Sequence, residues 1–230
     1  MIALVTPTGN RPRQIELCAR WMKNQDYKDN VLWIIIDDCN PRTTDFISDT
    51  FRENWTIKKV YPKPAWQEGQ NTQGRNLASG IKEVKKRITK AIFIIEDDDY
   101  YKPCYLSEMV KRIKGFDIAG EINTIYYNVN LKRWIENKNG TWSSLFQTAF
   151  TSKAIPLLEK LYNEKFIDLA FFHSDIRANL FEAGKLSIGI KGQPGRSGIG
   201  AGHRWSYNMH ADLDSVKLKE LIGEDSKYYL

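Results

Sequence analysis

The sequence has few cysteines and no long apolar run, and each lack excludes a class of protein. Its three cysteines, Cys18, Cys39 and Cys104, are an odd set without CxxC spacing, which argues against a disulfide framework and a zinc site. No apolar stretch approaches the ~20 residues that span a bilayer. Residues 1–5 run into polar residues without a signal-peptide pattern. We therefore expect a soluble, cytoplasmic protein with reduced thiols and no stable membrane association.

The chain is basic, although it contains a run of consecutive acids. Its 230 residues, 42% of them hydrophobic, are enough for one good core, and the formal net charge is +6. This excess favours a polyanionic partner such as nucleic acid, or an acidic membrane surface. A lysine-rich solvated exterior would explain the same charge. Nothing in the sequence indicates an oligomeric state.

In the first half, apolar runs alternate with helical patterns, which indicates a mostly parallel sheet of βαβ units. The second half has shorter, more aromatic segments. The predicted strands are residues 2–6, 31–36, 56–60, 92–95, 116–119, 124–129, 131–135, 142–146 and 186–190, with a hairpin loop at residues 137–140. The predicted helices follow Pro12, Thr43 or Thr44 (through Phe51), Asn71 (to Ile88) and Pro103, and cover residues 153–162, 175–183 (capped by Ser174) and 215–222. Residues 192–204 are too rich in glycine for regular structure.

The most informative stretch is the apolar run 92–95, which ends in Glu96, Asp97, Asp98 and Asp99. A buried parallel strand places such acids at its carboxyl end, where open sheets bind ligands. Adjacent carboxylates repel one another unless a cation lies among them, and oxygen ligands suit Mg²⁺ or Mn²⁺. A solvated acidic turn is the alternative. The run 31–36 ends similarly, in Asp37 and Asp38.

Four motifs together resemble the GT-A fold glycosyltransferases of family 2, over about the first 110 residues. They are residues 6–11 (TPTGNR), Asp37 with Asp38, residues 74–78 (GRNLA), and residues 96–99 (EDDD) followed by Pro103 and Leu106. The resemblance implies an α/β GT-A fold, a Rossmann-like mixed and mostly parallel sheet flanked by helices, with an acceptor-side β/α subregion. Residues 1–115 would bind the nucleotide sugar, and residues 116–230 would bind the acceptor within the same compact domain.

The resemblance also implies roles for individual residues in binding a nucleotide-diphosphate sugar, with a UDP-sugar favoured. Asp98, five residues before the proline, would bind Mn²⁺ or Mg²⁺, and Asp97 would reach the ribose or help hold the ion. Glu96 takes the first position of the DxD pattern, a departure that leaves open which neighbour of Asp98 completes the coordination; Glu96 and Asp99 are candidate metal ligands beside Asp98. In the donor pocket, Thr6, Pro7, Thr8 and Arg11 would line the nucleotide, Asp37 or Asp38 would bond the base, and Arg75 would approach base or phosphate.

A departing nucleoside diphosphate gains negative charge, which a divalent ion neutralises. Residues 192–204 could fold over that diphosphate, with Arg196 and Arg204 supplying charge together with Lys191, and with His203 as a possible metal ligand. A plain connector is the alternative. Inverting transfer needs a general base, for which we select Asp175, with Asp168 in reserve. Asp175 would otherwise be a favourable charge in the first turn of its predicted helix.

The acceptor is predicted from three segments of the second half and from the basic charge. Residues 126–129, residues 144–149 and the glycine-rich segment resemble phage-encoded glycosyltransferases, some of which modify hydroxymethylated pyrimidines in DNA. The basic charge fits a phosphate backbone, so we expect DNA with hydroxymethylated bases as acceptor, in the host cytoplasm. The alternatives are a surface glycan or lipid-linked sugar, a GT-A-like nucleotidyltransferase, and a basic DNA-binding protein without catalytic activity.

Overall fold

The computed structural model describes residues 1–48, 51–196, 198 and 200–230. Its strands are β1 (Ile2–Thr8), β2 (Val31–Asp37), β3 (Trp55–Val60), β4 (Ile92–Ile94), β5 (Tyr100–Tyr101), β6 (Ile118–Glu121), β7 (Thr124–Asn128), β8 (Arg133–Asn137), β9 (Thr148–Phe150), β10 (Ala178–Phe181), β11 (Ser187–Lys191) and β12 (His210–Ala211). Its helices are α1 (Pro12–Lys23), α2 (Gln73–Val84), α3 (Tyr105–Arg112), α4 (Ile155–Lys160), α5 (Ile167–Phe172) and α6 (Val216–Ile222).

The main sheet has seven strands in the order β10-β6-β9-β4-β1-β2-β3. The strands β3, β2, β1 and β4 are parallel to one another, and β9 is antiparallel to both of its neighbours. This mixed, mostly parallel sheet flanked by helices confirms the predicted fold class. Because β1, β2 and β4 are parallel neighbours, the loops that follow them emerge at one edge of the sheet.

Both faces of the central strands are buried, which explains their continuous apolar sequences. Along β1, alternate side chains join two different hydrophobic clusters: Ile2 and Leu4 pack with residues of α1, and Ala3 and Val5 pack with residues of α2. This alternation follows from the two-residue period of a strand. The two helices are thereby fixed on opposite faces, with their N-termini beside the loops after β1 and β3.

A second sheet, of order β12-β8-β7-β11-β5, lies at the carboxyl end of β4. Its strand β5 follows the four acids directly and pairs antiparallel with β11, through Tyr101 with Ser187 and Tyr100 with Ile188. Further along, β11 therefore runs back beside the acids. None of the helices within the described ranges has the length and apolarity needed to cross a bilayer.

Several predicted elements differ from the structure. Residues 43–48 and 51 form turns and bends rather than a helix, and residues 49 and 50 of that expected helix lie outside the described residues. The β7–β8 hairpin turns at residues 129–132, not at 137–140. The expected strand 142–146 is a loop that enters a 3-10 turn at Leu145–Gln147. In each case tertiary contacts, and not local propensity, decide the conformation.

The largest difference concerns residues 175–183, where the structure has the strand β10 instead of a helix. The hydroxyl of Ser174 donates to the carbonyl of Phe171 at 2.8 Å, so this side chain ends α5 and caps no following helix. Parallel pairing of β10 with β6 supplies backbone hydrogen bonds that the isolated sequence does not reveal. The helix of this region is α5, which the sequence pattern did not predict.

Gly80 is the point where α2 lies closest to the sheet. A Cβ at this position would lie 2.6 Å from Cγ1 of Val5 and 2.8 Å from Cδ1 of Ile36. We expect Gly80→Val to lower the free energy of unfolding by about 1–3 kcal/mol, because overpacking must push the helix from the sheet. Urea unfolding measures the loss. The control Gly140→Val, at an exposed glycine with open space around it, should cost less; equal losses would contradict this packing.

Candidate active site

The loops after β1 and β4 are joined by Asp97. Val5 pairs with Ile94 in the sheet, so Thr8 and Asp97, each three residues later, come to lie together. The hydroxyl of Thr8 donates to Oδ2 of Asp97 at 2.6 Å, and Nη1 of Arg11 donates to Oδ1 at 2.6 Å. Both carboxylate oxygens are thus engaged, which fixes the loop that leads into α1.

A cavity of about 650 Å³ opens at this edge of the sheet. Its walls come from the loops after β1, β3 and β4 and from the glycine-rich segment 192–204, of which residues 197 and 199 lie outside the described residues. The described lining residues are Pro7, Thr8, Asn10, Arg11, Trp66, Glu68, Gly69, Gln70, Asn71, Gln73, Asn76, Glu96, Asp97, Asp98, Gly195, Arg196, Gly198 and His203.

Glu96, Asp98 and Asp99 form a group of carboxylates that could hold a metal ion. One oxygen of each lies within 4.8 Å of the others, and Glu96 and Asp98 line the cavity. Burial opposes ionisation of Asp98, but Lys191 and Arg11 outweigh it and lower its pKa to about 2. The buried Oδ2 of Asp99 has no hydrogen-bond partner among the described residues. An ionised carboxylate at the cavity and an unpaired oxygen behind it fit the hard-oxygen preference of Mg²⁺ or Mn²⁺.

Lys191, at the end of β11, places an ammonium group inside this carboxylate group. Its Nζ lies 2.7 Å from Oδ1 of Asp99, 3.3 Å from Oδ2 of Asp98 and 4.0 Å from Oε2 of Glu96. Burial would lower the pKa of Lys191, but Asp98 and Asp99 raise it above its usual value, so the amine stays protonated. The side chain is 4% exposed. Lys191 is therefore a fixed positive charge among the candidate metal ligands.

A second cavity, of about 130 Å³, adjoins the first. The two share Gln73, Glu96, Gly198 and His203 in their walls. Burial, followed by the charge of Lys191, lowers the pKa of His203 to about 4, which leaves a neutral imidazole at pH 7. A neutral imidazole is the form that can bind a metal. The second cavity is further lined by Tyr126, Ser144, Leu145, Phe146, Lys165, Phe166, Ile167, Asp168, Lys191, Gly200 and Ala201.

The two candidate general bases have different positions. Asp168 lies in the first turn of α5 and lines the second cavity. Burial raises its pKa, against the backbone N–H of Leu169, which donates to its Oδ1 at 3.0 Å. Asp175 is exposed in the turn before β10 and is not among the described residues that line either cavity. The structure thus brings Asp168, and not Asp175, to the acidic group.

Asp38, the acid after β2, is completely buried and ion-paired. It accepts hydrogen bonds from Arg75 at 3.1 Å, from Asn76 at 2.7 Å, and from the hydroxyl of Thr72. Arg196 of the glycine-rich segment adds a bond of 3.2 Å and also lies over the Trp66 ring, 4.9 Å from its centroid. Asp38 therefore connects α2 with the glycine-rich segment across one end of the first cavity.

Three other residues that the sequence suggested for the donor pocket lie elsewhere. Thr6 is fully buried and accepts a hydrogen bond from the Trp33 indole at 2.9 Å. Asp37 accepts bonds from the backbone N–H and hydroxyl of Thr43, so it holds the turn after β2. Arg204 is exposed. None of the three is among the described residues that line the cavities. The side chains of Thr6 and Asp37 are buried in hydrogen bonds within the fold, and Arg204 faces solvent.

Sequence reasoning missed two features of the site. Trp66 was not considered, since a tryptophan in a proline-rich loop resembles many surface aromatics. Lys191 was considered only as a charge on the glycine-rich segment, and not as a partner of the acids. The signal for Lys191 was a lysine that ends an apolar strand, a position that is buried when the strand is central.

Solved structures of similar fold include complexes of two proteins with a nucleotide or a nucleotide sugar. The S. aureus TarS 1–349 structure in complex with UDP-GlcNAc is 14% identical, with a TM-score of 0.61, and the match covers 90% of this chain and 61% of that chain. The TarS 1–349 complex with UDP is 13% identical, with a TM-score of 0.59, covering 82% and 60%. The mannosyltransferase PcManGT from Pyrobaculum calidifontis, in complex with GDP-Man and Mn²⁺, is 12% identical, with a TM-score of 0.56, covering 84% and 57%.

At these identities the matches show a shared fold, and the chain spans about 60% of the length of the TarS 1–349 structures. A search of curated protein sequences finds no match. The family model for glycosyl transferase family 2 matches residues 3–184, which include all four sequence motifs and the described acidic residues that line both cavities. The chain therefore belongs to glycosyl transferase family 2.

Proposed function

We propose that the protein is a metal-dependent glycosyltransferase that moves a sugar from a nucleoside-diphosphate donor to a hydroxyl group, with inversion. One observation carries the proposal: two adjoining cavities share a wall, with Asp98 lining one cavity and Asp168 the other. Inverting transfer needs this arrangement, because the leaving group departs from one side of the sugar and the acceptor attacks from the other. Family membership and the nucleotide-bearing structures of the same fold support it.

The donor occupies the larger cavity in this proposal. Pro7 and Thr8 contact the nucleoside, and Arg11 lies beside the acids, where a diphosphate would need positive charge. Asp38 can accept a bond from the base only if Arg196 releases it. We therefore expect Arg196 to move from Asp38 and Trp66 toward the diphosphate when the donor binds, which frees the carboxylate and the ring together.

Asp98 and Glu96 are the cavity-facing residues that would hold Mn²⁺ or Mg²⁺, with His203 on the neighbouring wall. The ion would act as a Lewis acid that neutralises the diphosphate as it leaves. Arg11 adds to this stabilisation, since its Nη1 lies 3.7 Å from Oδ1 of Asp98. Asp97 positions Arg11 and thereby acts through it.

Asp168 is the proposed general base. It accepts the proton of the acceptor hydroxyl while the acceptor oxygen bonds to the anomeric carbon and the bond to the diphosphate oxygen breaks. The bonding electrons leave with the diphosphate, so charge and protons balance. Burial raises the pKa of Asp168, which makes it a stronger base than an exposed aspartate. We prefer Asp168 to Asp175, because Asp175 is exposed and is not among the described residues that line either cavity.

For the acceptor, we propose a hydroxymethylated pyrimidine in DNA. The net charge of +6 favours a phosphate backbone. At the mouth of the second cavity, the half-exposed ring of Phe166 carries the ammonium of Lys165 at 5.3 Å, and Tyr126 and Phe146 lie inside. Aromatic rings with flanking cations suit an extruded base. The reaction would then take place in the cytoplasm of a phage host, with residues 1–115 binding the donor and 116–230 the acceptor.

The direct test is a panel of radiolabelled UDP- and GDP-sugars with Mn²⁺, offered separately to hydroxymethylated DNA, to unmodified DNA, and to free glycans. We expect transfer to the hydroxymethylated DNA only, and a steep loss of DNA binding with salt, several powers of ten if about six phosphates are contacted. Transfer to a glycan with a flat salt response would favour a surface or lipid-linked sugar. Salt-sensitive DNA binding with neither transfer nor donor hydrolysis would indicate a non-catalytic DNA-binding protein.

A further inference from the structure

We propose that the ammonium of Lys191 keeps the protein from binding a divalent metal tightly when no donor is bound. The ion would therefore bind together with the nucleoside diphosphate. The inference rests on the proposed function, because it concerns the same metal site. It goes beyond that function in assigning an order to binding, and in assigning this order to one side chain.

The ammonium group of Lys191 lies among all three candidate metal ligands. Its Nζ is within 4.0 Å of an oxygen from each of the three candidate ligands. Antiparallel pairing of β11 with β5 returns the chain beside the acids, and the backbone N–H of Ile190 donates to Oδ1 of Asp99 at 2.9 Å. The rings of Tyr126 and Phe146 lie 5.9 and 5.7 Å from Nζ. The lysine is therefore held by the sheet and by its aromatic neighbours, and it is part of the site.

The protein offers few oxygen ligands to a metal ion at the cavity. Oδ1 of Asp99 is occupied by Lys191 and by a backbone N–H. Its Oδ2 is unpaired but buried, and Asp99 is not among the described residues that line the cavity. Glu96 and Asp98 remain as the carboxylates at the cavity. Mg²⁺ demands a near-octahedral set of oxygens and is usually held by one or two carboxylates plus substrate phosphates. A diphosphate would supply the missing oxygens.

The positive charges of Lys191 and Arg11 oppose the binding of a divalent ion. The ammonium repels a divalent ion at the distances given above, and Arg11, 3.7 Å from Asp98, adds to the repulsion. A diphosphate brings negative charge and so offsets both cations. Because coupling between two ligands is reciprocal, the nucleotide should strengthen metal binding by the same factor as the metal strengthens nucleotide binding. Removal of the ammonium should strengthen metal binding most in the absence of nucleotide.

The experiment titrates the purified protein with Mn²⁺ and follows the free ion by electron paramagnetic resonance, alone and with saturating UDP or GDP. For the native protein we expect the nucleotide to tighten Mn²⁺ binding at least about tenfold. For Lys191→Met we expect Mn²⁺ to bind about tenfold tighter or more without nucleotide, and the nucleotide effect to shrink. Lys90→Met, at an exposed lysine paired with Asp29, is the matched control and should leave both values unchanged.

Two results overturn the role of Lys191. One is a folded Lys191→Met protein that binds Mn²⁺ equally or more weakly than the native chain without nucleotide. The other needs no variant, and so is independent of its folding: a native protein whose Mn²⁺ affinity is the same with and without nucleotide. A lysine with a merely structural role would not tighten metal binding on removal.

The Asp98→Asn variant separates failure of this inference from failure of the proposed function. If it loses the Mn²⁺ that binds with nucleotide while Lys191→Met behaves as the native protein, the metal site is retained and the role of Lys191 is wrong. If Asp98→Asn binds Mn²⁺ with nucleotide as tightly as the native protein, the proposed metal site is wrong and the role of Lys191 falls with it.

Discussion

Replacing Asp98 by asparagine should reduce Mn²⁺-dependent turnover of the nucleotide sugar by about a thousandfold or more, while the protein stays folded. Asparagine keeps the size of the side chain but removes the charge that would hold the ion against the departing diphosphate. Initial rates of sugar release or transfer measure the loss, and circular dichroism checks the fold.

The matched control is Asp214→Asn, which makes the same chemical change at an exposed position outside the described lining of the cavities. It should retain full turnover. The metal assignment would be contradicted by an Asp98→Asn protein with native turnover. A comparable loss in the Asp214 variant would instead mean that general changes in charge, and not the metal site, limit the rate.

Replacing Asp168 by asparagine should lower the transfer rate by about a hundredfold to ten-thousandfold, the range of a lost general base. Donor binding, measured by calorimetry, should change little, because Asp168 lines the second cavity and not the first, in which we propose that the donor binds. The control is Asp175→Asn, at the exposed aspartate of the neighbouring turn. Full activity of Asp168→Asn together with an inactive Asp175→Asn would return the base to Asp175.

The transfer rate should also depend on pH, in a direction that the pKa of Asp168 sets. Burial raises the pKa of Asp168 above the ordinary value of an aspartate, and only the deprotonated form accepts a proton. The transfer rate should therefore be complete above that raised pKa and should fall as the pH is lowered through it, at a higher pH than an exposed aspartate would cause. In Asp168→Asn this limb of the profile should disappear from the residual activity.

The position of the acids beside the loop after β1 was predictable because it depends on only a few strand ends. An apolar run that stops at Glu96 specifies a buried strand with acids at its carboxyl end, and parallel pairing then brings Thr8 beside Asp97. Because β1, β2, β3 and β4 are parallel, the loops that follow these strands emerge at one edge of the sheet, and the strand order alone decides which loops are neighbours. The fold class and the candidate metal ligands followed from these patterns.

The strands and helices after residue 116 depend on pairings between distant segments, which local patterns do not encode. Ser174 and Asp175 have the residue types of a helix start, yet the chain there approaches β6 and continues as a strand. The short helix α5, which carries Asp168, is too brief to leave a clear period in the sequence. The sequence pattern therefore favoured Asp175 as the base, whereas the base that we propose, Asp168, lies seven residues earlier in the chain.

The ion pairs between residues far apart in the chain could not be predicted from the sequence either. Lys191 reaches acids that are 92 and 93 residues away, and Arg196 reaches Asp38 across 158 residues. Both basic residues were recognised as charges for a diphosphate. Their carboxylate partners depend on the pairing of β11 with β5 and on the path of the glycine-rich segment.

The most direct test of the central claim is a crystal structure of the protein with Mn²⁺ and a non-hydrolysable nucleoside-diphosphate sugar, with data collected at the manganese absorption edge. We expect one anomalous peak in contact with a carboxylate oxygen of Asp98 and with the diphosphate, and the anomeric carbon turned toward the cavity that Asp168 lines. A nucleotide bound elsewhere, or a manganese peak away from Asp98, would contradict the account.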